Sequence, residues 1–279
     1  MKTIIFSLLL LVFSSSIVAQ NTNKMILYNI GLGSVFSGVG AVINKKPNQK
    51  WTKVFFKGLS QGALGGTLIY GSKKITEEFT KKKHWSYSWG GKLVNAAGAS
   101  IIENASLNRN FWEQWNLNFG FNRLEFHTNG RFKVKYKIMP ISFAITVNTA
   151  LNNKFEFKKS LQYGQVIFSS QTSKTSYEIG GHILLNRKGL KSHRTLAHEI
   201  IHIYQSNDYN FINTYFNKSI KKWRKKSVHF KKLNNFLYFD IHEPITYGLY
   251  SLEKINNTYY NDNFFEYEAW YFPNKKYRL

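Results

Sequence analysis

The chain has 279 residues, with 39 Lys and Arg against 15 Asp and Glu, and no cysteine. The missing cysteine excludes structural disulfides, thiolate-ligated zinc and thiol catalysis. The formal net charge of +24 favours anionic partners such as lipid headgroups, nucleic acid or acidic polysaccharide.

Residues 1–19 read as a secretory signal peptide. Lys2 supplies a basic start, Ile4 to Phe13 is apolar except for Ser7, and Ser14 to Ser16 lead to a small residue, Ala19. Cleavage is expected after Ala19. The apolar run is shorter than the ~20 residues that span a bilayer. Export to the cell envelope argues against nucleic acid and for an anionic membrane surface as the partner of the positive charge.

Residues 20–110 form a Gly/Ala-rich region that is expected to be helical. Met25 to Ile43 contains no charge and includes Gly31, Gly33, Gly38 and Gly40. Gly58 to Ser72 is also uncharged, with Gly62, Gly65, Gly66 and Gly71. Leu93 to Ala105 repeats the theme with Ala96, Ala97, Gly98 and Ala99. Small residues three to five apart let helix backbones approach closely. The segments suit either a membrane-embedded helical hairpin or tightly packed soluble helices.

From Trp115 to Asn186 the pattern predicts strands. Along Arg131 to Met139, Phe132, Val134, Tyr136 and Ile138 alternate with Arg131, Lys133, Lys135 and Lys137. Strict period two predicts a half-buried antiparallel strand. Asn129-Gly130 is a hairpin signal before it, which makes Leu117 to Phe126 the partner. Further strands are expected at Ser142–Thr149, Phe155–Leu161, Gly164–Ser169 and Tyr177–Leu185, a meander of five or six.

The remainder is expected to be helical. Ser192 is a plausible N-cap for a helix running through His198 and Tyr204. Lys218 to Lys232 is basic and interleaved with Trp223, Val228 and Phe230, which suits an anionic surface. Pro244 marks a break before Ile245 to Glu253. Phe264 to Tyr271 is the last helix.

The chemistry centres on His198-Glu199-Ile200-Ile201-His202. Residues four apart share a helix face, so both imidazoles can reach one ion. Zinc suits two imidazoles, and a catalytic zinc keeps one position open for water. Glu199, one residue along, is placed as general base. Leu196, Ala197, Ile200, Ile201 and Ile203 make the helix apolar, and buried histidines there are costly without a partner or metal. The third ligand is open on chemistry alone among Asp208, Asp240, His242, Glu243, Glu253, Asp262, Glu266 and Glu268. Tyr204 and Tyr247 are candidate oxyanion donors. His182 reads as a core or edge histidine rather than a transition-state stabiliser.

His198 to His202 with Glu266-Tyr267-Glu268-Ala269 resembles the gluzincin branch of zinc metallopeptidases, whose third ligand is a glutamate on a later helix in a Glu-x-x-small pattern. The Glu-Tyr-Glu-Ala string is similar to that of membrane-bound zinc peptidases of the CaaX-endopeptidase and heat-shock type. The resemblance covers only these two helices. It implies His198, His202 and Glu266 as zinc ligands and Glu199 as general base, while Glu268 is read as an exposed helix carboxylate. It also implies that the strand holding His182 borders the cleft and pairs with extended substrate. Trp270 departs from the pattern, standing where an Asp would orient a histidine.

The expectation is therefore an α+β chain: N-terminal small-residue helices, an antiparallel meander, then a zincin-like helical part, with residues 111–279 as the peptidase domain. The expected function is zinc-dependent hydrolysis of a peptide or protein substrate. The competing readings are a non-catalytic zinc-binding protein and a basic membrane-surface binder.

Overall fold

The computed structural model describes residues 22–256 and 263–274. The signal-peptide reading of residues 1–19 and the candidate ligand Asp262 lie outside them. The fold is α+β, as expected.

Three long helices come first: α1 (Thr22–Ile43), α2 (Trp51–Lys82) and α3 (Trp85–Ser106). They pack against one another through their glycines. A Cβ on Gly33 would meet the Gly62 carbonyl oxygen at 2.8 Å, and one on Gly65 would meet that of Gly98 at 2.8 Å. Only glycine permits backbones so close. Within α1, Met25–Ile43 is long and apolar enough to cross a membrane or belong to an export signal, and half of that stretch is buried inside the protein.

Next comes an antiparallel meander of β1 (Gln114–Phe119), β2 (Asn122–His127) and β3 (Lys133–Ile138). The Asn129-Gly130 turn forms, with Gly130 at φ +81°. The partner expected as one strand over Leu117–Phe126 is instead two, folded at Gly120, whose φ is +55°. The alternation along β3 is real, but Lys133 to Tyr136 are exposed on both faces and only Lys137 and Ile138 are partly buried. Lys137 points inward to Glu125 at 3.4 Å, beside Arg123, which pairs with Glu103 of α3 at 2.8 Å and with Glu125 at 3.0 Å. The buried carboxylates of Glu103 and Glu125 need cations, so Arg123 and the end-of-strand Lys137 turn in. Phe132, Val134 and Tyr136 are left 61%, 52% and 48% exposed, not half-buried.

Ser142–Thr149, expected as a strand, lies in α4 (Pro140–Asn152). Its first turn is capped from far along the chain: the Ile141 and Ser142 amides donate to the buried carboxylate of Asp240 at 3.1 and 2.8 Å. Its buried face is Ser142, Thr146 and Thr149, a polar set that apolar periodicity does not register. The strand expected over Phe155–Leu161 is cut to β4 (Lys154–Phe155) and continues as α5 (Phe157–Tyr163), closed by Gly164 at φ +70°.

The second sheet has the order β4-β5-β7-β6, where β5 is Val166–Ser169, β6 is Tyr177–Ile179 and β7 is His182–Leu185. β5 and β7 run parallel and the other pairs antiparallel. Against it packs α6 (His193–Asp208), whose N-cap Ser192 accepts from the Thr195 amide at 3.1 Å. Ile167, Ile183 and Leu185 of the sheet meet Leu196, Ala197, Ile200 and Ile201 of α6 in one core.

The chain then forms α7 (Phe211–Tyr215), α8 (Asn217–Lys226), α9 (Val228–Phe236), α10 (His242–Asn256) and α11 (Phe264–Tyr271). Pro244 does not break α10. It sits in the first turn, where its missing N–H would have no intrahelical acceptor.

Candidate metal centre

α6 carries His198 and His202 one turn apart, and α11 lies across them with Glu266. The Nε2 atoms of His198 and His202 are 3.1 Å apart. Glu266 Oε2 lies 3.2 Å from the first and 3.7 Å from the second. Zinc bonds of about 2.0–2.1 Å in a tetrahedron separate ligand atoms by about 3.3 Å. The three side chains, all largely shielded from solvent, therefore form a group that could hold a metal ion.

The electrostatics fit a cation at this point. Glu266 Oε2 is buried against the two imidazoles, a costly place for a carboxylate oxygen unless a positive charge sits beside it. Burial disfavours charge on His202, but the carboxylate of Glu266 outweighs it and holds the imidazole up at about 9. Burial dominates at His198 and lowers it. Burial would raise Glu266, yet the two imidazoles keep it well below the usual carboxylate range. A metal ion bound here would take the place of the proton on His202 as the positive charge beside Glu266.

The surrounding residues orient these three side chains. The Tyr250 hydroxyl donates to Glu266 Oε1 at 2.8 Å. Gln205, one turn beyond His202, places Oε1 2.7 Å from His202 Nδ1. Its Nε2 donates to Glu268 Oε2 and to the Phe265 carbonyl, each at 2.9 Å. Trp270 lays its ring on that of His198, with centroids 4.3 Å apart, so it fills space where the resemblance would put an orienting Asp. Gln205 supplies the missing polar partner, to His202. Its i,i+3 spacing from His202 was the available signal; Tyr250 carried none. Replacing Gln205 with Leu should leave the fold intact and weaken metal affinity about 10- to 100-fold, which competition with a chromogenic chelator would measure.

Glu268 is not an exposed helix carboxylate. It is fully buried. Lys73, on α2, donates to Glu268 Oε2 at 2.9 Å, to Asp208 Oδ2 at 2.7 Å and to Asn29 Oδ1 at 2.8 Å. The N-terminal helices thus reach the ligand-bearing helices through one buried cation.

Glu199 lines the same cleft as the three ligand side chains, a space of about 750 Å³. It is 3% exposed. Burial raises its carboxyl to about 7. Glu178 and Glu243 also line the cleft, facing the apolar Ile141 and Ile145 of α4 and Tyr247 of α10.

The other candidates are elsewhere. Asp240 caps α4 and Asp208 pairs with Lys73. Glu253 accepts from the Phe264 amide at 2.7 Å, and buried His242 lies 2.8 Å from Asn213. His182 is a core histidine held by Thr146 and Thr149 at 3.2 and 2.9 Å, and burial lowers it to about 4. Tyr204 is buried against Gly91, away from the metal cleft.

No protein-family model matches the chain, and no curated protein or solved structure matches it.

Proposed function

We propose that the chain is a zinc-dependent peptidase in which His198, His202 and Glu266 hold the metal and Glu199 is the general base. One observation carries the reading: three ligand atoms converge on one point, and a buried carboxyl that is not part of that trio shares their cleft. A purely structural metal site needs its ligands and has no use for Glu199.

The edge strand β6 borders the cleft and, among the described residues, pairs on one side only, with β7. An extended peptide can add to such an edge by backbone hydrogen bonds, with side chains resting on Ile141 and Ile145. Zinc, when bound, polarises the scissile carbonyl and acidifies the attacking water. Glu199, poised near neutrality by burial, takes a proton from that water and delivers it to the leaving amine. Tyr247 lines the opposite wall and offers a phenol donor to the developing oxyanion.

The test is metal analysis of the purified chain combined with cleavage of a broad peptide library. One zinc per chain with cleavage is expected for the wild type, and neither for His198→Ala. Tight zinc binding with no cleavage anywhere in the library would favour the non-catalytic zinc-binding reading and overturn this one.

A further inference from the structure

The positive charge of this chain is not spread evenly. Residues 126–155 hold five Lys or Arg and no Asp or Glu, and residues 209–239 hold eight and again none. The fold brings these two carboxylate-free segments together. Ile138 at the end of β3 forms a parallel bridge to Leu237, just after α9. The Tyr238 amide donates to the Ile138 carbonyl at 2.9 Å. Trp223 of α8 meets Phe230 of α9 at 5.6 Å, and Phe230 stacks on Phe239 at 5.8 Å. Among the described residues, no Lys or Arg of 209–239 makes an ion pair with a carboxylate. Lys46 and Arg109 add their charge beside Lys221.

The same surface is unusually apolar for its charge. Trp223, Val228, Leu233 and Phe236 are 54%, 67%, 48% and 68% exposed. The exposed edge strand β3 adds Val134 and Tyr136, with Phe132 just before it. Cations interleaved with exposed Trp, Phe, Val and Leu match the boundary between anionic headgroups and acyl chains. Lysine stems can lie along apolar surface while their ammonium groups reach the phosphates. Nucleic acid would account for the cations and the aromatic rings, but it offers nothing for Val134, Val228 and Leu233 to enter.

We infer that β3, α8 and α9 form a docking face for an anionic phospholipid surface. Acidic headgroups hold the Lys and Arg side chains, and Trp223, Phe236 and the outward residues of β3 insert at the interface. This reading does not depend on the metal centre.

Vesicle co-sedimentation of the full chain tests it, with phosphatidylcholine vesicles compared with a three-to-one mixture of phosphatidylcholine and phosphatidylglycerol. Binding should be more than tenfold stronger to the anionic vesicles and should fall steeply with added salt. Neutralising Lys222, Lys225 and Lys226 to Gln should weaken it about fivefold per charge, on the order of 100-fold together. Trp223→Ser with Phe236→Ser should weaken it at constant charge. All five positions are exposed, and circular dichroism checks that the variants fold. Phe132→Ser with Val134→Ser on β3 probes the same face should α8 fail to form. Equal binding to neutral and anionic vesicles would overturn the inference, because it would assign attachment to an apolar segment such as α1. So would binding that ignores the substitutions. Tighter binding to duplex DNA, unaffected by loss of Trp223 and Phe236, would replace lipid with nucleic acid.

Discussion

Glu199→Gln should keep the metal and lose hydrolysis by about 10²–10⁴-fold, the usual contribution of a general base. Gln fills the same volume in a site where Glu199 is almost fully buried, so the helix and its two imidazoles should stay in place. It cannot accept a proton. His198→Ala and Glu266→Ala should behave differently and lose both metal and activity, since each removes one of only three protein ligands. Measuring metal content and turnover on the same preparations separates the two classes. Full activity in Glu199→Gln would show that another group takes the proton. Full metal content in Glu266→Ala would show that the carboxylate beside the histidines is not a ligand.

Glu268→Ala should destabilise the chain by about 3–5 kcal/mol, the cost of leaving a buried charge without its partner. Lys73 is fully buried and has Asp208 and Glu268 as its carboxylates. Removing Glu268 leaves Asp208 alone to balance it, and burial already raises Asp208 to about 7. Gln205 loses an acceptor at the same time, so its hold on His202 should loosen. Urea unfolding of wild type and variant would measure the change. Lys73→Met combined with Glu268→Gln and Asp208→Asn should recover part of the loss, because a cluster replaced by neutral groups leaves no stranded charge. A change below about 1 kcal/mol for Glu268→Ala would mean that water or a shift of Lys73 compensates.

Much of the centre was legible in the chain itself. The four-residue spacing of His198 and His202 needs only helix geometry to put both rings on one face. The apolar surround of Ile200, Ile201 and Ile203 determined that the helix is buried. The glycine spacing over 33–98 determined that three helices pack closely, because nothing larger fits between their backbones at Gly33, Gly62, Gly65, Gly66 and Gly98. The Asn129-Gly130 turn and the alternation around it determined a hairpin.

Tertiary structure decided what local pattern could not. Period two shows that β3 has two faces, but only the buried carboxylates of Glu103 and Glu125, balanced by Arg123, draw Lys137 inward and leave the rest of the strand exposed. α4 exists where a strand was expected because Asp240, a hundred residues away, satisfies its first amides, and loop closure of that length leaves no local signal. Choosing Glu266 over Glu268 is the sharpest case. The two lie two residues apart on α11, about 200° around the helix from each other. Which one faces the histidines and which faces Lys73 depends on how α11 is rolled between α6 and α2. That roll is set by the need to pair a buried lysine on one side and to meet two imidazoles on the other.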